Sequence, residues 1–399
     1  MVIKEAFETK ISKECDVLVC GGGFAGISAS LAAARCGKKV ILLEKEYILG
    51  GLGTAGLITI YLPLCDGKGR QVSFGIAEEL LRLSVSMGAE ASFPDNWLGN
   101  DRSKRTENDP RFKVQYNPSL FAMLAEKLLK DAGVEILYGT YAVGAAKKED
   151  KITAVIIENK SGRTAIALHS VVDCTGDADI AHFANAPTEN FSQGNVLAAW
   201  YYFLSESGYH LRQLGAADIP DEQKEDGKQV KTLVDRRFSG LCGDEISEQV
   251  ILSHSQTLDD IIEKRKNDKS VVPTSIATIP QLRMTRRIVG EYTLGSDEMH
   301  KYFEDSVGMV SDWRKRGPVY EVPFRTLYSS EIKNLICAGR CTCVTDGMWD
   351  VMRVIPCCAV TGEAAGTAAA MTDDFSELDI KALQKKLKEN GVILHEKEI

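Results

Sequence analysis

The sequence predicts an α/β fold in which a strand–turn–helix layer is interrupted by an inserted α+β segment. Three observations carry this expectation. An apolar strand near the N-terminus runs straight into a glycine-rich turn and a small-residue helix, the same kind of pattern returns after about residue 335, and the stretch between about 186 and 320 follows neither.

The chain has 399 residues, more than one average domain, with 44% hydrophobic and 26% charged residues and no run of a single residue type. That is the composition of an ordinary globular protein with a substantial core. A net charge of −8 spread over interspersed charges leaves no footprint for nucleic acid or an anionic membrane. The short basic cluster Arg314-Lys315-Arg316 reads as a solvated loop. No segment approaches the roughly 20 apolar residues of a membrane span. Lys4, Glu5, Glu8 and Lys10 stand where a signal peptide would be apolar, so a cytoplasmic location is expected. Eleven cysteines, many inside apolar or glycine-rich runs, do not form a disulfide framework, and no spacing completes a zinc site, so no metal is expected. Cys341/Cys343 and Cys357/Cys358 are the only suggestive pairs. Buried reduced thiols are the favoured reading, with a redox role as the alternative.

The first element is the apolar run Asp16 to Val19, read as a buried parallel strand. Gly21-Gly22-Gly23-Phe24-Ala25-Gly26 follows and contains GxGxxG at Gly21, Gly23 and Gly26. Ile27 to Ala34 form a small-residue helix, and Val40 to Leu43 form a second strand delivering Glu44, 18 positions after Gly26. Each part has a task. The first glycine makes the tight turn, the second admits a pyrophosphate to the backbone, and the third lets the helix pack on the strand. The helix N-terminus offers free N–H groups to phosphate, and the acid can accept from a ribose diol. The motif alone does not separate FAD from NAD. No second complete unit follows, and two-domain disulfide reductases, which need one per dinucleotide, lose support.

Gly50-Gly51-Leu52-Gly53-Thr54-Ala55-Gly56 is a second glycine turn that lets backbone run close to a flat or phosphorylated ligand. Residues 118–132 carry apolar positions at helical spacing, and Gly133 to Tyr138 read as another strand. Ile152 to Glu158 and Thr164 to Leu168 form a hairpin around Asn159-Lys160-Ser161-Gly162, and Val171 to Asp177 look like a strand ending in a tight turn. The pattern then changes. Tyr201 to Leu204 open an aromatic region that continues through the charged run Asp221 to Lys231 and amphipathic pieces such as Leu258 to Lys264. The α/β signature returns at Leu335 to Arg340, and Pro356 to Met371 form a glycine- and alanine-rich helix with proline in its first turn. The expected organisation is 1–185 as the first part of the nucleotide domain with an excursion at about 60–112, 186–320 as an inserted substrate or cap domain, 321–375 as the return segment, and 376–399 as a C-terminal helix and tail.

These motifs, above all Thr175-Gly176-Asp177-Ala178-Asp179, Arg286 to Gly290, and Arg353-Val354-Ile355-Pro356 leading to Gly366, resemble the FAD-dependent oxidoreductase family of bacterial proteins, related to glutathione-reductase-type and fumarate-reductase-type flavoproteins. The resemblance covers most of the chain and is weakest between about 186 and 280. It implies a Rossmann-like FAD-binding domain of the glutathione-reductase type. It also implies that Gly21, Gly23, Phe24, Ala25 and Gly26 hold the pyrophosphate, Glu44 and Lys45 the adenosine ribose, and Gly51, Leu52 and Thr54 the length of the cofactor. Val143 would meet the adenine, Thr175, Gly176 and Asp177 would close over the adenosine half, Gly339 and Arg340 would lie near the ribityl-pyrophosphate segment, and the helix from Pro356 would point at the flavin. Family members carry a histidine before the Arg-Val-x-Pro segment, whereas Thr345 to Asp350 here contain none, which puts an inherited acid/base residue in doubt. None of the six histidines closely follows a glycine turn, so FAD is expected to be non-covalent.

The expected reaction is hydride transfer between FAD and a small polar metabolite: an alcohol, an amine or an activated C=C. Arg353 is the leading candidate for substrate or flavin charge, ahead of Asp346, Arg286, Asp350 and Arg283, and each of these also fits a structural ion-pair network. One alternative is fumarate-reductase-like alkene reduction with an arginine proton donor. Another is an electron carrier or redox sensor using Cys341/Cys343 or Cys357/Cys358. The physiological electron donor or acceptor and the oligomeric state are left open.

Overall fold

The computed structural model describes residues 2–89, 113–215 and 232–399. The run Asp221 to Lys231 and residues 90–112 of the excursion lie outside these. The strands that carry the fold are β1 (Ile11–Cys20), β2 (Val40–Leu43), β3 (Glu135–Leu137), β4 (Tyr141–Lys148), β5 (Lys151–Asn159), β6 (Gly162–Asp173) and β7 (Leu335–Cys337). They form one seven-stranded sheet in the order β3-β2-β1-β6-β5-β4, with β7 also on β6. β3, β2, β1, β6 and β7 are mutually parallel, while β4 and β5 run antiparallel to their neighbours.

The long strand β6 explains a difference from the sequence reading, which split it. His169 is exposed and breaks the apolar pattern, yet the strand continues because its partner changes. Residues up to Ala167 pair with β5, and Val171 to Asp173 pair with β7. The registers Cys20↔Leu43, Cys20↔Asp173 and Cys337↔Asp173 bring four strand ends level. Gly21, Glu44, Cys174 and Ala338, each the next residue along, therefore stand side by side at the carboxyl edge, where open α/β sheets bind ligands.

The helices flanking the sheet are α1 (Phe24–Arg35), α2 (Ile76–Val85), α3 (Pro118–Asp131), α4 (Asp346–Met352), α5 (Ile355–Met371) and α6 (Ile380–Glu389). α5 is buried along almost its whole length, as a helix built from Ala, Gly, Thr and Cys can be. It lies on α1 with backbones nearly touching. A Cβ on Gly362 would fall 2.3 Å from the Ala25 carbonyl oxygen, and one on Gly366 2.1 Å from that of Ala29. Glu363, on the same helix and buried, accepts from the Ile76 N–H (2.8 Å) and so caps α2. Burial pushes its carboxyl up to about 8.

Between β6 and β7, Ala199–Ser205, Gly208–Leu214 and Val272–Ile276 form a separate three-stranded sheet. The helix Gly243–Asn267 lies against it and is far longer than the Leu258 to Lys264 piece expected. Its apolar residues are spread around much of the helix, and buried Gln249 and Thr257 share the inner face with Ile261, which hides the period. Strands Ser306–Ser311 and Val319–Pro323 form a hairpin whose Val307, Val310, Tyr320 and Val322 share the core of α1 and α5. In the loop of that hairpin Lys315 and Arg316 are exposed as expected, whereas Arg314 is half-buried, because Asp312 and Asp350 neutralise it. Among the described residues no single helix is long and apolar enough to cross a membrane.

Two expected outcomes test this packing. Gly366→Ala should destabilise the protein by about 1–3 kcal/mol or more in chemical denaturation, since the new methyl has only backbone to displace. Glu363 has its folded pKa raised, so its contribution to stability is fully present below 4.5 and is lost as pH rises to about 8. In unfolding measured across that range, Glu363→Gln should remove the loss and gain on the wild type as pH increases.

Candidate functional site

The turn after β1 is built by exclusion of side chains. Gly21 sits at φ +102°, and a Cβ there would lie 2.4 Å from the Cys174 carbonyl oxygen, so only glycine fits between the two strand ends. A Cβ on Gly26 would lie 1.8 Å from the Gly21 oxygen, which sets helix against strand. Gly23 is the opposite case: it is the N-cap of α1, and nothing stands within 4 Å of the position its Cβ would take. Bare backbone thus borders open space at the positive end of a helix whose first N–H groups have no intrahelical partner. Ala25 is where three segments meet, with a Cβ on Gly339 falling 2.9 Å from its own and Gly362 against its carbonyl. The Phe24 ring turns inward, stacked on Phe121 at 4.5 Å and edge-on to Tyr61.

Glu44, buried at the end of β2, accepts from the N–H groups of Gly22 and Glu46, each at 2.8 Å. Burial raises its pKa despite these bonds. Lys45 is exposed beside it. The second glycine turn is tied to the first. Gly50 donates to the Gly22 oxygen at 2.8 Å, and a Cβ on Gly51 would lie 3.3 Å from Gly23 Cα. Thr54 donates to Leu49 O (2.6 Å), Tyr116 donates to Gly53 O (2.6 Å), and Leu52 is half-buried between them. The turn ends at Leu57, which holds a positive φ of 56°. For a branched side chain that is strained backbone. Its far side is bonded into the region between β6 and β7, where Thr278 N donates to Ala55 O (2.9 Å) and Gln281 Nε2 to Gly56 O (2.5 Å). Buried Arg283 bonds Gln281 Oε1 at 3.1 Å and lies over Trp200 at 5.2 Å.

At the end of β6, Asp173 is fully buried and accepts from Thr175 N, Thr175 Oγ1, Ile180 N and Ala181 N at 2.7–3.1 Å. It holds the Thr175-Gly176-Asp177 turn in place. Arg286 Nε donates to Asp177 O (2.8 Å) and its Nη2 to Asp179 (2.7 Å). Burial raises Asp179 to about 6, with Asp177 and Asp173 adding to the shift and Arg286 opposing it. Arg340 reaches the same turn, with Nη2 3.4 Å from Asp177 and 2.2 Å from where a Gly176 Cβ would be. Its Nη1 is buried with no hydrogen-bond partner. Val143 is half-buried at an irregularity of β4, three residues after Thr140 N bonds Glu44 O (3.1 Å).

The third group surrounds the start of α5, which places Pro356 in its first turn. Arg353, between α4 and α5, pairs with fully buried Asp350, which also receives Arg314 at 3.3 Å, and Arg314 pairs with Asp312 at 2.9 Å. Burial and the Asp312 pairing act oppositely on Arg314, and the pairing prevails to raise its pKa. Asp346 is half-buried in the first turn of α4 and accepts from Ser192 Oγ at 2.6 Å. Arg286 and Arg353 therefore belong to separate clusters, one at the Thr175–Asp179 turn and one at the α5 start. The four suggestive cysteines are buried free thiols. Burial drives the Cys341 and Cys357 pKa values well up and that of Cys358 to about 12, which opposes a thiolate role. Gln281 and Trp200 carried no sequence signal, because their partners Gly56 and Arg283 are distant in the chain, and the role of Asp173 shows only once the turn after β6 folds back on it.

An open approach to Gly23, a buried guanidinium Nη1 without a hydrogen-bond partner, and two parallel helices in contact, with Ala25 of α1 opposite Gly362 of α5, suit an anionic dinucleotide. Comparison with known proteins agrees. The family model described as FAD dependent oxidoreductase matches residues 16–197 and 204–387. Thiamine thiazole synthase of Methanococcus vannielii is 30% identical over 191 residues, 45% of this chain and 63% of that protein. NADH:acrylate oxidoreductase of Vibrio harveyi is 29% identical over 143 residues, 33% of this chain and 14% of that protein. The chain thus spans under two thirds of the length of these curated relatives. Among solved structures, a geranylgeranyl bacteriochlorophyll reductase-like protein of Thermoplasma acidophilum aligns with TM-score 0.46 and 14% identity, covering 95% of this chain and 82% of that one. On the family match, which takes in nearly the whole chain, this protein belongs to the FAD-dependent oxidoreductases and is an enzyme that uses FAD.

Proposed function

We propose that the chain binds FAD non-covalently in a glutathione-reductase-type layout and oxidises or reduces a small polar metabolite, an alcohol, an amine or an activated C=C. The observation that carries this is the double attachment of the Gly50–Gly56 turn. One side is bonded to the pyrophosphate-type glycine turn and the other to Thr278 and Gln281, so the cofactor turn is also a wall of the 186–320 region. That region is thereby the substrate side, and it carries the buried Arg283 above Trp200.

Bound FAD supplies hydride chemistry at its N5. The chain's part is to bind, orient and supply charge. Gly21, Gly23 and the N-terminus of α1 take the pyrophosphate, with Arg340 Nη1 donating to it. Glu44 holds the ribose, and the α5 N-terminus offers its dipole to the flavin side. Arg353, fixed by Asp350, orients a substrate carboxylate or carbonyl through charge-assisted hydrogen bonds. A second reading, alkene reduction with arginine as proton donor, draws on that same pair, since Asp350 has no exposure and keeps Arg353 in one place. Arg286 is a poorer donor because the Thr175–Asp179 turn already engages it.

Gly23→Ala should leave folding stability within about 0.5 kcal/mol, because its methyl meets nothing within 4 Å, yet weaken FAD binding in a fluorescence titration. Arg340→Met should raise the FAD Kd about 10–100-fold, the worth of a charged hydrogen bond. Anaerobic mixing of the oxidised enzyme with alcohols and amines, and of the reduced enzyme with α,β-unsaturated acids, tests the reaction. One class should change the flavin spectrum, and Arg353→Gln should slow that change about 10²–10³-fold without altering FAD content. Equal rates in Arg353→Gln and wild type would remove Arg353 from the reaction.

A further inference from the structure

The helix Gly243–Asn267 has 25 residues, about 37 Å at the α-helical rise. Its inner face is committed to the three-stranded sheet. Gln249, Thr257 and Ile261 are buried, Ser253 bonds Ala198 O, Asp260 bonds Tyr201 and Arg212, and Lys264 lies over Phe203. Its outer face carries Ile251, Leu258 and Ile262, which are 68, 57 and 49% exposed. At 100° per residue these three fall within about 40° of one line along the helix, and Asp244 and Arg265 extend that line at its two ends. Such a line of large aliphatic side chains in water marks an interaction surface.

We propose that this stripe is the interface of a two-fold homodimer in which the helix packs antiparallel on its copy. Charge selects both the occupant and its direction. The first turn is acidic (Asp244, Glu245) and the last basic (Lys264, Arg265, Lys266), so parallel packing sets like charges together and antiparallel packing sets opposite ones together. The spacing is self-complementary as well. A two-fold axis between His254 and Ser255 carries Ile251 onto Leu258 of the second copy and Asp244 onto Arg265, giving an apolar centre and two ion pairs outside it. Asp244, Ile251, Leu258 and Arg265 are all exposed, and neither Asp244 nor Arg265 has an ion-pair partner among the described residues.

Sedimentation equilibrium of the FAD-loaded protein is the test. The wild type is expected to be a dimer, and Ile251→Glu with Leu258→Glu a monomer with unchanged flavin spectrum and circular dichroism. Asp244→Arg alone and Arg265→Asp alone are each expected to weaken the dimer, and the two together to restore it, an outcome that a folding defect cannot mimic. A wild type that stays monomeric at all concentrations overturns the proposal and leaves the stripe to a different protein. A dimer indifferent to Ile251→Glu with Leu258→Glu, or a double charge swap that fails to restore association, overturns it equally.

Discussion

Everything at the carboxyl edge of the sheet depends on how closely α1 and α5 approach. Gly362 and Gly366 lie so near the carbonyl oxygens of Ala25 and Ala29 that no side chain fits between the helices. Dispersion contacts made backbone to backbone are numerous and rigid. They hold the two helices parallel with Ala25 opposite Gly362, so that the α5 N-terminus stands almost two turns beyond that of α1; one helix follows the first strand and the other is entered more than 300 residues later. Gly26 against Gly21 sets α1 on the sheet in the same manner, and Gly339 against Ala25 brings the last strand's exit to the same point.

Charge is handled in a complementary way. The buried charges are satisfied in groups: Asp173 by four neutral donors of its own turn, Arg286 by the Asp177 carbonyl and the Asp179 carboxylate, and Arg353 within the set of Asp350, Arg314 and Asp312. Burying a lone charge is costly, and burying a bonded set much less so. Arg340 and Arg287 each keep one guanidinium nitrogen, Nη1 and Nε respectively, buried without a hydrogen-bond partner among the described residues. Arg353 is tied to Asp350 on the side away from solvent, which makes it a fixed rather than a mobile cation.

Much of this was legible in the sequence where the signal is local. The order of strand, glycines, small-residue helix, strand and acid from Asp16 to Glu44 is a pattern with one physical solution, and the residues lie as that pattern requires. The small-residue helix at Pro356 was visible for the same reason. What escaped the sequence reading depends on partners distant in the chain. Arg314 looked like part of a basic loop because Asp350, 36 residues on, does not show in its neighbourhood. Asp173 is the local exception, since Ile180 N and Ala181 N lie 7 and 8 residues on and its hub role shows only when that turn folds back onto it. The contact of Gln281 with Gly56 spans 225 residues. The break at His169 was read as a strand end because one exposed residue interrupts the alternation, whereas a strand passing from one partner to another keeps its backbone bonded.

The central claim is that the glycine edge holds FAD without a covalent bond. The absorbance spectrum of the purified protein, taken before and after acid precipitation, tests it most directly. The expected result is a flavin spectrum that passes into the supernatant, where the released nucleotide is FAD. A colourless protein that takes up no FAD on reconstitution, or a flavin that stays with the precipitate, would contradict the account.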